Sequence, residues 1–218
     1  LSPWLGLSIA RHLQKTYDQP LLHLPALPIG ARATATFLRA IAAATGLDSE
    51  RVEAFIASEE KQYYHYIRDF AHFYSGCTSQ YRLPSEINVV GESAYVLAIA
   101  RFFVGDLGLN PGVFVITENP PDEERAGIIA AFRDLAPGVD ATPVFEPDGH
   151  KARALIKAHP RTGEYPIVFG STWEAAIAGE IGAPLVEISY PVTDEVVIAR
   201  SYIGYRGALQ LLERTYTT

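Results

Sequence analysis

The chain has 218 residues, of which 48% are hydrophobic, 20% charged and 11% aromatic, the profile of a globular protein long enough for one domain and part of a second. A net charge of −7 and a pI near 5.4 leave no basic footprint, which argues against nucleic acid and against an anionic membrane surface as partners. The single cysteine, Cys77, cannot form an internal disulfide and cannot by itself hold a structural zinc or an iron–sulfur cluster, so a reducing cytoplasm fits best.

The start, "LSPWLGLSIARHLQK", lacks a basic region ahead of an apolar one, and no run of ~18 apolar residues follows, so neither a signal peptide nor a membrane span is expected. The chain opens at Leu1 and contains no methionine, which leads us to expect part of a longer gene product. "LGLSIARHLQKTYD" (5–18) predicts a helix, "PLLHLPALPIG" (20–30) an extended stretch broken by prolines, and "ATATFLRAIAAATG" (33–46) a helix ended at Gly46. Asp48 or Ser49 can cap a long helix running to about Tyr74. Its apolar residues Val52, Phe55, Ile56, Tyr63, Tyr66, Ile67, Phe70, Phe73 and Tyr74 fall largely at spacings of three and four, which predicts a buried stripe. Tyr63 and Tyr66 are assigned to the core, and Tyr64, off the stripe, is the one that can face a partner subunit.

From Glu86 onward the pattern changes to an alternation. "INVVG" (87–91) precedes the helical "SAYVLAIARFFVGDLG" (93–108), "GVFVIT" (112–117) precedes "PPDEERAGIIAAFRDL" (120–135), and "ATPVF" (141–145) precedes "GHKARALIKAH" (149–159). "PIVFG" (166–170) then precedes "STWEAAIAGEIG" (171–182), and "PLVEIS" (184–189) follows. The apolar runs are short, rich in Val and Ile and without clean alternation, as strands covered on both faces of a parallel sheet are. The fold class expected is α/β: a Rossmann-like doubly wound parallel sheet domain over residues 86–218, preceded in residues 1–85 by the helical tail of another α/β domain and a long connecting helix. The boundary falls near "SGCTSQYRLPSE" (75–86).

Two strand-to-helix junctions are candidates for holding an anion. Gly170, Ser171 and Thr172 follow the fourth strand, and Gly91, Glu92 and Ser93 follow the first, both at the sheet edge where α/β proteins bind ligands. Neither has the full G-x-G-x-x-G spacing, and Glu92 would repel a phosphate. Ser171 with Glu174 three residues on also forms a capping-box pattern that explains the serine without any ligand. Gly91, Ser93, Gly170, Ser171 and Thr172 are therefore the anion-site candidates, and no catalytic or metal residue is assigned. His65 and His72, seven residues apart, would lie roughly 10 Å apart along a helix, too far for joint ligation. Asp194 and Glu195 read as solvated carboxylates on a polar turn, and "GSTWE" is not G-x-S-x-G.

Three stretches together resemble the C-terminal half of the β-type subunit of the nitrogenase component 1 family and its nitrogenase-like relatives. The first carries a P-x-G-x-x-x-T-x-x-F-L element in Pro28, Gly30, Thr34, Phe37 and Leu38. The second is the strand, glycine and "ARFF" helix of residues 88–119. The third, residues 167–218, ends in "ISYPVTDEVVIARSYIGYRGALQLL", with Tyr190, Pro191 and Asp194 and then a G-Y-x-G-A element in Gly204, Tyr205, Gly207 and Ala208. The resemblance implies three Rossmann-like domains per subunit and pairing with an α-type subunit into a heterotetramer with a second β-like subunit. It further implies a separate reductase component, and multi-electron reduction at iron–sulfur and other metal clusters held elsewhere in the complex. Cys77 matches none of the family's cluster cysteines, and "EISYPVTDE" (187–195) has no histidine where the α-type subunit holds its metal cluster. The resemblance thus implies a cofactor-free, β-like part with a structural and interface role, from a reductase or a cofactor-assembly scaffold. The alternative from the residues alone is a free-standing α/β domain binding a nucleotide or sugar between Gly91–Ser93 and Gly170–Thr172.

Overall fold

The computed structural model of the chain describes residues 1–76 and 84–217. Cys77 and most of the expected boundary segment lie outside the described residues. The backbone gathers into two compact units, one of Leu1–Leu27 with Pro84–Ile198 and one of Pro28–Leu83 with Ala199–Thr217.

The first unit holds helix α1 (Leu7–Tyr17) and a five-stranded, all-parallel sheet in the order β3-β2-β1-β4-β5. The strands are β1 (Glu86–Gly91), β2 (Asn110–Ile116), β3 (Val144–Phe145), β4 (Pro166–Gly170) and β5 (Leu185–Glu187). Between them run α4 (Ser93–Ala100), α5 (Asp122–Arg133), α6 (Gly149–Ala158) and α7 (Ala175–Ile181); α2 and α3 belong to the second unit. Strand order reverses at β1, so right-handed crossovers put α4 and α5 on one face and α6 and α7 on the other. This is the expected doubly wound arrangement. Every residue of β1 and β4 is buried, which explains the unbroken apolar runs in the sequence. Beside them Phe103 packs on Phe169 with ring centroids 4.8 Å apart, and Phe114 on Phe132 at 5.5 Å.

Two buried polar residues of β1 are satisfied by the chain itself. Glu86 accepts hydrogen bonds from the backbone N–H of Thr162 at 2.5 Å, the Thr162 hydroxyl at 2.9 Å and the N–H of Gly163 at 3.0 Å, so the burial of its carboxylate is offset by three donors. Asn88 sits at a register shift against β2, and its Oδ1 accepts from Val113 N at 2.9 Å in place of a ladder bond. The β2 backbone approaches so closely here that a Cβ on Gly112 would lie 2.8 Å from the Ile87 carbonyl oxygen.

Two expected elements differ in extent. The helix expected over 93–108 is α-helical only to Ala100 and continues as a π-helix over Arg101–Asp106. The wider turn lets the neighbours Phe102 and Phe103 both bury completely. The strand expected over 141–145 pairs only at Val144 and Phe145, because it is the sheet edge and has a partner on one side alone.

The second unit is helical, with α2 (Ala31–Thr45), α3 (Ser49–Gly76) and α8 (Gly204–Thr217). Asp48 supplies the cap of α3, its Oδ1 accepting from Glu50 N at 3.0 Å and Arg51 N at 3.3 Å. Of the expected apolar stripe, Ile56 and Tyr63 are buried, whereas Phe55 and Tyr66 are about half exposed. Tyr66 therefore does not join the core as expected. The helix packs against α2 and α8, and Phe55, about 100° around the axis from the buried Ile56, cannot share its direction. The P-x-G-x-x-x-T and G-Y-x-G-A elements meet in this unit. Gly204, at φ +82°, donates its N–H to the Pro28 carbonyl at 2.8 Å, and the Thr34 hydroxyl donates to the Gly30 carbonyl at 2.6 Å. At Gly207 a Cβ would stand 2.5 Å from the Tyr202 carbonyl carbon, so only glycine allows α8 to pass that backbone.

Candidate functional site at the C-terminal edge of the sheet

The C-terminal ends of β1 and β4 lie side by side at the point where strand order reverses, the usual ligand position in this architecture. Both junctions are occupied by the chain's own carboxylates. After β4, Ser171 is the N-cap of a 3₁₀ turn (Thr172–Glu174) leading into α7, with its Oγ accepting from Trp173 N at 3.2 Å. The Glu174 carboxylate folds back and accepts from both Ser171 N and Ser171 Oγ at 2.7 Å, completing the capping box. Gly170 makes room for this: a Cβ there would meet Glu174 Oε2 at 2.6 Å. After β1, Ser93 N at the start of α4 donates to Glu118 Oε2 at 2.6 Å. The positive ends of two helical segments are thus already neutralised from within.

Thr172 is likewise engaged. Its Oγ1 lies 2.5 Å from Glu187 Oε1 and 3.0 Å from the Pro191 carbonyl, and it accepts from Thr193 N at 3.0 Å. These bonds tie the segment after β5 to the end of β4. Thr193 and Asp194 are exposed on that segment.

Beside the junctions is a crevice of about 350 Å³. Of the five candidate residues it brings together Gly91 and Ser171; Ser93, Gly170 and Thr172 are not in its wall. Its floor is apolar, from Val90, Ala152, Ile156 and Ile177, which are buried in one core cluster. The wall adds His150 and Arg153 of α6, the latter paired with Glu180. At the rim stand Trp173 and Tyr190, 79% and 92% exposed. Trp173 is not singled out by the sequence patterns and Tyr190 enters only through the family element it shares with Pro191 and Asp194; each stands three residues past a strand end, and nothing in the sequence marks Arg153.

Among the described residues no group of three or more His, Cys, Asp and Glu side chains is placed to hold a metal ion. The described residues therefore do not fit the clusters that the resemblance implies for the complete complex. No described helix is long and apolar enough to cross a membrane.

Comparison with known proteins agrees with the fold. The family model described as "Nitrogenase component 1 type Oxidoreductase" matches residues 1–218. One subunit of the light-independent protochlorophyllide reductase of Methylobacterium sp. (strain 4-46) is 28% identical over 98% of this chain and 38% of its own length. The nitrogenase molybdenum-iron protein beta chain of Methanococcus maripaludis is 28% identical over 92% of this chain and 40% of its own. A solved structure described as "Nitrogenase Cp1 at pH 6.5" superposes with a TM-score of 0.69 at 25% identity, covering 94% of this chain and 41% of that one. The chain thus spans about two fifths of the length of these relatives. It belongs to the nitrogenase component 1 type oxidoreductase family and corresponds to part of a β-type subunit.

Proposed function

We propose that this chain is a structural and interface portion of a nitrogenase-like β-type subunit, silent in catalysis by itself. In the parent, residues 1–85 close one Rossmann-like domain and residues 86–218 form the last. The parent is an oxidoreductase of the cytoplasm, assembled with an α-type subunit, a second β-like subunit and a separate reductase component, and its metal clusters are held by other segments. Gly91, Ser93, Gly170, Ser171 and Thr172 act in turns and caps, not as an anion site.

The observation that carries this reading is the combination at the crevice: junction amides filled by Glu118 and Glu174, under a rim of exposed Trp173 and Tyr190. Large apolar groups left in water mark surfaces that another protein body covers. Ile9, Leu13 and Tyr17 of α1, each four residues from the next, form a second such exposed stripe.

The test is assembly of the parent subunit carrying Trp173→Glu with Tyr190→Glu, measured by light scattering after size exclusion. The expected result is loss of the complex while the fold, followed by circular dichroism, is retained. Assembly at wild-type affinity would refute the interface role.

A further inference from the structure

Tyr190 is 92% exposed at the rim of the crevice, yet the backbone on both sides of it is bonded to the end of β4. Before it, Ile188 N and Ser189 N donate to the Gly170 carbonyl at 2.8 and 3.2 Å, and the Ser189 hydroxyl adds a bond to the same oxygen at 3.3 Å. After it, the Pro191 carbonyl accepts from Thr172 N at 2.9 Å, and Thr193 N donates to Thr172 Oγ1 at 3.0 Å. The Thr172 hydroxyl in turn reaches the carboxylate of Glu187, a buried residue of β5, so the clamp is anchored in the sheet itself. A segment without helix or strand that carries a large side chain in water ordinarily keeps its backbone freedom until something binds it. Here the backbone is already ordered by the fold, which lowers what association has to fix.

We propose that Thr172 is a positioning residue for the assembly surface: by clamping residues 188–193 it presents the Tyr190 ring, pre-organised, to a partner protein. This role rests on the assembly reading above and names the residue that sets the geometry of that surface. Thr172 is not in the wall of the crevice, so its influence on a partner runs through the clamped segment. Its hydroxyl does two things at once, donating to Glu187 and accepting from Thr193 N. Valine has nearly the same shape and can do neither. A tyrosine held in this way offers a large contact area while only its two side-chain torsions remain to be ordered, which is the economy that makes tyrosine a frequent anchor in protein recognition.

The experiment is a double-mutant cycle in the parent subunit, with assembly affinity read by light scattering over a dilution series and amide exchange of residues 188–194 read by mass spectrometry. Thr172→Val should weaken assembly by about tenfold and speed exchange across 188–194 by about tenfold, with the circular dichroism spectrum retained. Tyr190→Ala should weaken assembly by about tenfold or more. Thr172→Val added to Tyr190→Ala should weaken it by no more than about a further twofold, because the clamp then has no ring to present. A residue that served the fold alone would give effects that multiply. Thr172→Ser, which keeps the hydroxyl, should stay within about twofold of wild type. Thr193→Gly, a change at an exposed position that spares the sheet core, should weaken assembly by about threefold through loosening of the same segment. Wild-type affinity in Thr172→Val while Tyr190→Ala assembles poorly, multiplying effects in the double variant, or unchanged exchange across 188–194 would overturn the proposal. Wild-type affinity in Tyr190→Ala would overturn the assembly role of this rim, and the positioning role with it.

Discussion

The two units specify themselves by different means. The sheet unit relies on quantity: runs of Val, Ile and Phe buried on both faces, with Phe103, Phe169, Phe114 and Phe132 filling the space between sheet and helices. The helical unit relies on a few positions of close approach, chiefly Gly204 bonded to Pro28 and Gly207 against the Tyr202 backbone. A sheet core tolerates exchange of one apolar residue for another of similar volume, whereas a glycine at a backbone contact tolerates no side chain at all. The short motifs that carry the family resemblance, P-x-G-x-x-x-T and G-Y-x-G-A, are therefore contact points of the helical unit.

The largest expected effect is in the sheet core. Phe169→Ala should cost about 4 kcal/mol by leaving a cavity beside Phe103, measured as the change in denaturation midpoint. Gly207→Ala should cost about 3 kcal/mol, because the obstacle is backbone and cannot swing aside. Tolerance of this alanine, with a wild-type midpoint, would break the contrast between the units. Glu86→Ala, which strands the Thr162 and Gly163 donors, should cost about 2 kcal/mol in the sheet unit. Glu174→Ala should cost only about 1 kcal/mol, the value of a helix cap.

A further effect is a pH dependence confined to the helical unit. Pushed up by burial, Tyr205 titrates at about 12 in the fold, above the ~10 of an unfolded tyrosine. The folded state therefore binds the proton more tightly, so the contribution is complete below pH ~10 and is lost as pH rises towards 12. Comparing wild type with Tyr205→Phe across that window should show a shallower decline for the variant.

Much of this was legible in the sequence because both signals are local. Strand runs such as "PIVFG", the Ser171–Glu174 cap and the Asp48 cap depend on residues within a few positions of one another. What was not legible depends on distant partners. Tyr66 has the spacing of a core residue, but whether it is covered depends on where α8 crosses α3. The π-helical turn at Arg101 arises because two adjacent phenylalanines must both reach the core, and periodicity alone does not reveal that. The candidate site was partly legible. Gly91 and Ser171 do line one crevice, but Glu118, which occupies the Ser93 amide from 25 residues away, carries no local signal.

The central claim is that the strand-end amides of the sheet unit are already committed to the chain's own glutamates. Its most direct test follows the Ser93 and Ser171 amide resonances by ¹H–¹⁵N NMR during titration with inorganic phosphate at constant ionic strength. The account predicts no saturable shift at either amide. A saturable shift at both, giving a single dissociation constant, would contradict it.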